Sequence, residues 1–352
     1  MLSPFVRALF GALCVLAVST AAEAAVRLGE TGSTLLYPII TVWIKDFGAM
    51  HPDVRIDSAA TGSGTGIRAA IAGTAELGAS DAYLSDAQIL ANGVINIPLA
   101  VSAQEVVFNV PELRGGPALN LSGPVLAGIY DGDIRWWDDS KIAALNASLQ
   151  LPHHLILPVH RSDASGDTYI FTQYLSLSTP AWDSAIHFGT GVHWPKNPKA
   201  LEGIGNDGVI DFVSRASYAL GYIGITYAER ARFSGLDVAA LQNRNGAFVL
   251  PTTAATRATA RAMADAVPSD GRLAMIYTAG AKAYPLVNFE YAIVKSTQKR
   301  RGRAAALRDF LTWIVSPALG NDPALLETVH FAPLPERVRA IAVREIATIT
   351  GP

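Results

Sequence analysis

Three stretches of this chain carry one chemistry: Thr31-Gly32-Ser33-Thr34, Thr61-Gly62-Ser63-Gly64-Thr65-Gly66 and Ser162-Asp163-Ala164-Ser165-Gly166-Asp167-Thr168. Each follows a strand pattern and leads into a helix pattern. Glycine lets backbone N–H groups turn toward one point, Ser and Thr add hydroxyl donors, and a helix start leaves its first N–H groups unpaired with a partial positive charge. Such a junction holds anions. Any one of these loops alone reads better as an ordinary N-capped turn. Three together, one opening on Arg161, point to an oxyanion, because a guanidinium can grip two oxygens of a tetrahedral anion.

Asp81 adds a constraint on that anion. It ends the strand pattern Leu77-Gly78-Ala79-Ser80, where by itself it would serve as a cap before Leu84. Beside an anion, a carboxylate is tolerable when the anion has a proton to give it. Phosphate at neutral pH carries such an O–H and sulfate does not.

The elements that must position these residues alternate. Strand patterns lie at Val26 to Leu28, Val54 to Ile56, Leu77 to Ala79, Leu155 to Val159, Tyr222 to Ile225 and Val287 to Val294, with a long β-rich stretch from Val94 to Val110. Between them, Leu36, Ile39, Ile40, Trp43 and Phe47 recur at helical spacing after a first-turn Pro38. Helix patterns also occupy Ile67 to Ala72, Ser85 to Leu90, Asp167 to Leu177, the segment from Thr226 onward, Ala304 to Val315 and Arg337 to Ile349. This order predicts an α/β fold with parallel-type sheets covered by helices.

The bulk composition narrows the class. The chain has 352 residues, 28 Lys and Arg against 30 Asp and Glu, and a net charge of -2, which supplies no basic field for nucleic acid. That length favours two lobes over one core. Residues 1–24 read as a secretory signal: Arg7, an apolar run from Ala8 to Ala22, then Ala22-Glu23-Ala24 with cleavage expected after Ala24. The single cysteine, Cys14, falls within that segment and lacks the small residue a lipoprotein signal places before its cysteine. The processed chain would carry no disulfide and would depend on its core.

The motifs also occur in a specific order. Gly29-x-x-Gly32-Ser33-Thr34-Leu35, Gly62-Ser63-Gly64-x-Gly66, Leu77-Gly78-Ala79-Ser80-Asp81 with Leu84-Ser85-Asp86, Trp136-Trp137-Asp138-Asp139, His160-Arg161-Ser162-Asp163-x-Ser165-Gly166-Asp167-Thr168-x-x-Phe171-Thr172 and Gly205-Asn206-Asp207-Gly208 follow one another. Over essentially the whole chain after the signal, this resembles the periplasmic phosphate-binding proteins of high-affinity phosphate ABC transporters, in particular a mycobacterial-type branch. The resemblance implies a two-lobed type II periplasmic binding protein, its ligand cleft between lobes joined by two crossover strands. The stretches around Val106 and Phe289 are the candidates for the crossovers, giving residues 25–105 plus 290–352 to one lobe and 106–289 to the other.

It further implies that Thr34, Leu35, Ser63, Ser165 and Gly166 donate to phosphate. Asp81 would accept the phosphate proton, and Arg161 would pair with phosphate while Asp81 and Asp163 hold it, with Ser33 supporting the site. Two positions depart from the common pattern. Asp167 stands where Thr is usual, adding a carboxylate at the ligand, and Leu35 replaces a usual Phe. The implied partners are inorganic phosphate and the membrane permease, for a monomer with no cofactor, metal or catalytic residue.

Other signals carry less. Asp131-Gly132-Asp133 is a polar turn, since Arg135 stands where a phosphatase signature needs Thr or Val. His153, His154 and His160 lack metal-ligand spacing, no Gly-Lys-Ser/Thr follows a glycine loop, and residues 299–303 read as a basic turn before a helix. Two rivals stay open. One is a secreted phosphomonoesterase using Ser165 or Asp167 near Arg161 and His160, which lacks an evident base–nucleophile pair. The other is a receptor for a different tetrahedral oxyanion, such as sulfate or molybdate, which Asp81 disfavours.

Overall fold

The computed structural model describes residues 25–352; the expected signal segment, its cleavage point and Cys14 lie outside them. The elements that build the site are strands β1 (Val26–Gly32), β2 (Val54–Ala60), β3 (Leu77–Ser80), β4 (Val94–Asn109), β5 (Leu157–Arg161), β6 (Leu201–Gly203), β7 (Ala219–Gly224) and β8 (Val287–Lys295). They join one nine-stranded sheet in the order β2-β1-β3-β8-β4-β7-β5-β6, with Asp237–Val238 paired to β4 off this path. Each patterned strand of the sequence forms, two of them displaced: the expected Leu155 to Val159 lies at Leu157–Arg161 and the expected Tyr222 to Ile225 at Ala219–Gly224. A further three-stranded sheet, Phe248–Val249, Ala240–Gln242 and Asn120–Leu121, was not foreseen, because strands of two or three residues are too short to show an alternation.

The sheet has two parallel wings. In the first, β1 runs parallel to β2 and β3. In the second, β5 runs parallel to β6 and β7. β4 links them. Its residues 94–103 pair antiparallel with β8, and from Gln104 to Asn109 it pairs antiparallel with β7. The long apolar run seen in the sequence is thus one strand that changes neighbours between Ala103 and Gln104. The fold is mixed α/β, with the two-lobed plan of a type II binding protein.

Helices α1 (Tyr37–Met50), α2 (Ser63–Ala72), α3 (Gly166–Ser178), α4 (Gly205–Arg215), α5 (Arg301–Val315) and α6 (Glu336–Ala347) cover the faces. α1 buries Ile39, Ile40, Trp43 and Phe47, the residues whose 3.6-residue spacing marked it. Phe47 meets Phe310 of α5 edge to face, with ring centroids 5.1 Å apart, and Trp43 donates its indole N–H to the Gly320 carbonyl at 2.8 Å. The basic turn at 299–303 is tied to the protein: Lys299 Nζ donates to the Gly73 carbonyl at 2.7 Å and Arg303 pairs with Glu76. Among the described residues no helix is long and apolar enough to cross a membrane.

Two glycines on helices test how closely the first wing is packed. A Cβ on Gly66 of α2 would stand 2.6 Å from the Thr31 carbonyl oxygen and 2.7 Å from that of Ala79, whereas one on Gly48 of α1 would meet nothing within 4 Å. Gly66→Ala is expected to lower stability by about 1–3 kcal/mol through overpacking against backbone. Gly48→Ala is expected to raise it by about 0.5–1 kcal/mol through helix propensity. Urea unfolding midpoints of the two variants check the pair.

Candidate functional site

Ligands of open α/β sheets sit beyond the carboxyl ends of parallel strands, and the sequence-predicted residues collect there. Ser33, Thr34 and Leu35 follow β1; Ser63 opens α2 after β2; Asp81 follows β3; Arg161 ends β5; Ser165, Gly166 and Asp167 open α3. All are buried. The second loop is already helical from Ser63 rather than from Ile67, because Gly62 takes φ +87° as the helix N-cap and no side chain resists that turn.

The two wings touch through small residues. Gly64 N–H donates to the Ala164 carbonyl at 2.9 Å. A Cβ on Gly166 would lie 2.2 Å from Asp81 Oδ2 and 2.4 Å from Ser63 Oγ, so only glycine brings the start of α3 against those two groups. Asp81 accepts from the Ser33 hydroxyl, and its backbone N–H donates to Ser63 Oγ at 3.2 Å. Ser165 caps α3, its hydroxyl accepting from Thr168 N–H at 3.4 Å.

Arg161 is the one cation in this cluster and its side chain is wholly inaccessible to solvent. Nε donates to Asp163 Oδ1 at 2.7 Å, Nη2 pairs with Asp163 Oδ2, and Nη1 donates to Asp167 Oδ2 at 2.6 Å and to Thr34 Oγ1 at 3.3 Å. This corrects one expectation: the second carboxylate on Arg161 belongs to Asp167, not Asp81. The first turn of α3 brings Asp167 back over the end of β5, whereas Asp81 turns toward Ser33. Asp167 is also more engaged than a free ligand acceptor. Oδ1 accepts from Gln104 Nε2 at 2.7 Å, and Oδ2 accepts from Asn206 Nδ2 at 2.9 Å as well as from Arg161. Leu35 is fully buried, its side chain against Gly224 and its carbonyl accepting from Thr226 Oγ1 at 2.9 Å.

Several partners carried no assigned role in the sequence. Asn206, the second residue of α4, donates to Thr34 Oγ1 at 2.8 Å and to Asp167, while its carbonyl oxygen accepts from Gly224 N–H at 2.7 Å. Its motif Gly205-Asn206-Asp207-Gly208 was visible, but its target was not. Tyr222 accepts from Arg161 N–H at 3.1 Å and bonds Thr168 Oγ1 at 2.8 Å. Gln104 stands where β4 changes wings. Its signal was a polar amide in a largely apolar strand, which Asn96 and Asn109 of the same strand share. The histidines pack locally: His160 bonds the Arg161 carbonyl through Nδ1 at 3.1 Å and stacks on Trp194, His153 stacks on Trp136, and His154 on Tyr218.

A model of the PBP superfamily domain matches residues 19–318. The phosphate-binding protein PstS of Methanocaldococcus jannaschii is 35% identical, the match covering 91% of this chain and 85% of that protein. The chain belongs to the PstS phosphate-binding protein family. PstS of Xylella fastidiosa strain 9a5c is 31% identical, over 88% of this chain and 82% of its own. Among solved structures, the high-affinity periplasmic phosphate-binding protein PfluDING, bound with phosphate, superposes with a TM-score of 0.70 at 20% identity, covering 89% of this chain and 92% of that one.

Burial sets the acid chemistry of this PstS-family site. It pushes Asp81 up to about 6, with the charge of Asp167 adding and the bonds from Glu290 and Ser33 opposing. It also raises Asp167, against Arg161, Gln104 and Asn206. Asp163, partly buried and bonded to Arg161, is held below the usual carboxylate range despite that burial. Outside the site, burial raises Glu30 to about 7 and Glu105 to about 8. An acid whose folded pKa is raised binds more protons folded than unfolded, so its contribution to stability falls as pH climbs from the unfolded value to the folded one. His160, lowered by burial, contributes the opposite slope below its ordinary value. With Asp81, Asp167, Glu30 and Glu105 raised against one lowered histidine, the ligand-free protein is expected to be more stable at about pH 5 than at about pH 8, measured by urea midpoints across that range.

Proposed function

We propose that this protein captures inorganic phosphate in its interlobe cleft and delivers it to the membrane permease of a phosphate ABC transporter, acting as a periplasmic monomer after signal cleavage near Ala24. One observation carries the reading. The donors Thr34, Ser63, Arg161 and the start of α3, together with the acceptor Asp81, converge from both wings on the carboxyl ends of the parallel strands. Phosphate offers oxygens for the donors and a proton for Asp81, so its chemistry matches both signs of the site. The Leu35 and Gly166 backbone N–H groups are assigned as further donors, with Ser33 and Asp163 holding Asp81 and Arg161. Asp167 stays at the ligand as a braced carboxylate, with one lone-pair direction left after its three bonds.

The lobes are assigned as residues 25–105 with 290–352, and 106–289. They would swing about β4 near Gln104 and about the segment entering β8. In the closed form the Gly62–Gly64 loop abuts Ala164, which excludes water and strengthens each charge-assisted bond.

Catalysis is not part of this reading. Ser165 Oγ caps α3 and His160 Nδ1 faces the Arg161 carbonyl, so the two candidate members of a nucleophile–base pair are engaged elsewhere. A chromogenic phosphomonoester left uncleaved by protein that binds phosphate in calorimetry would separate receptor from esterase.

Selectivity and proton coupling follow. Sulfate is expected to bind at least ~1000-fold more weakly than phosphate, about 4 kcal/mol, because an ionised Asp81 faces it without a shared proton. Comparable calorimetric titrations for the two anions would sink this reading. With Asp81 and Asp167 both raised, binding of a phosphate dianion draws a proton into the site. Affinity is therefore expected to strengthen from about pH 8 to about pH 6, with net proton uptake seen across buffers of different ionisation enthalpy. Arg161→Ala is expected to weaken phosphate binding by at least ~2 kcal/mol. It should also lower stability by about 3–5 kcal/mol, since it leaves Asp167 buried without its cation.

A further inference from the structure

A buried acid stands behind Asp81. β8 pairs antiparallel with β3 as far as Tyr291 opposite Ser80; Glu290 and Asp81 each lie one residue beyond that pair, and their carboxyl groups stand within hydrogen-bonding reach of each other. Glu290 is completely inaccessible to solvent. Its Oε1 accepts from the Ser102 hydroxyl of β4, and its Oε2, also buried, has no donor when both acids are ionised. The charged groups around it are Asp81 from the end of β3 and Asp167 from α3, both acids, with Arg161 of β5 nearer to Asp81 and paired to Asp167.

Two ionised carboxylates in that position have two faults: like charges adjacent in a water-poor interior, and a buried oxygen without a partner. A single proton shared by the pair removes both. The surroundings decide which acid keeps it. Asp81 has the Ser33 hydroxyl and the charge of Arg161 to hold it as an anion. Glu290 has only Ser102, and burial followed by the charge of Asp81 drives its acid form well above the usual range.

We propose that Glu290 is a positioning residue that stays protonated, donates its proton to Asp81 through Oε2, and so fixes Asp81 as an ionised, acceptor-only group at the oxyanion site. A carboxylate has about four lone-pair sites. With Ser33 and Glu290 on two of them, Asp81 keeps others for a proton arriving on the ligand, and none of its own to offer a fully ionised anion. Discrimination against sulfate then depends on a residue that need not touch the ligand. This rests on the phosphate reading above only for its effect on selectivity.

Two measurements on the processed full-length chain test it. Infrared difference spectra of wild type minus Glu290→Gln at about pH 8 should show one protonated-carboxyl band lost. This arm involves no ligand and holds whether or not phosphate is the cargo; no band lost overturns the proposal. Calorimetric titrations with sodium phosphate and sodium sulfate between about pH 5.5 and 8.5 form the second arm. Glu290→Leu removes the donor, so Asp81 should protonate at higher pH and phosphate-over-sulfate discrimination near pH 6.5 should fall ~10-fold or more, the effect of one pKa unit on Asp81. Glu290→Gln, which keeps an N–H donor, should restore most of that loss. Discrimination and pH profile unchanged in Glu290→Leu would refute the role in selectivity. Wild type that binds neither anion would refute the phosphate reading, leaving the infrared arm to decide where the proton lies.

Discussion

The site depends on one buried charge. Arg161 brings a guanidinium to a place without solvent, where an unpaired cation would cost several kcal/mol. Asp163 takes Nε and Nη2 in a fork, and Asp167 takes Nη1. Once those bonds exist, much of the surrounding architecture is constrained. Asp163 must stay within two residues of the end of β5, so the loop has to turn at once. Asp167 must return from the first turn of α3, so that helix has to start at Gly166. Asn206 and Gln104 must bring amides to the remaining lone pairs of Asp167, which ties α4 and the wing-changing point of β4 to the same carboxylate. Arg161 is thus the fastener between strands, helix and crossover, and on the proposed reading also the charge that faces the ligand.

The carboxyls outnumber the cation, and that imbalance gives the site its sign logic. Asp81, Asp163, Asp167 and Glu290 surround Arg161 or one another. Fully ionised, such a cluster would repel any anion. Raised acids resolve the contradiction, because protons retained in the interior lower the net negative charge without removing acceptors where a protonated ligand needs them. A site built from donors alone would bind sulfate and phosphate alike. A site with an acceptor at one corner, held ionised by a neighbouring acid, asks the ligand for a proton.

The loops were legible in the sequence because their chemistry is local. Glycine, hydroxyl side chains and a following helix pattern occur within a few residues of each other, and the helical spacing from Leu36 to Phe47 needs no tertiary information. What escaped is carried by distance along the chain. Gln104 reaches Asp167 across 63 positions, Asn206 reaches Thr34 across 172, and Ser102 reaches Glu290 across 188. Glu290 could be noticed as an acid in the apolar run Val287-Asn288-Phe289-Glu290-Tyr291, but its partner depends on the register of β8 against β3. The assignment of Arg161 to Asp81 failed for a similar reason: which of three nearby carboxylates turns inward is set by where a helix begins, and sequence spacing does not resolve it.

Closure depends on what lies where the wings meet. The surfaces that meet between wings are Gly62, Gly64 and Ala164, and then Gly166 against Asp81 and Ser63. Large side chains there would hold the lobes apart and admit water, weakening every charge-assisted bond in the cleft. Small residues let backbone donors approach within bonding distance, so the wings can close on an ion little larger than the groups that bind it. Ser33, Ser63 and Asp81 follow the three strands of the first wing, whereas the helix start at Ser165 and Gly166 comes from the second. On the proposed reading, capture and commitment are divided between the wings: the first would supply the acceptor that selects the anion, and the second Arg161 and the helix start that hold it once selected.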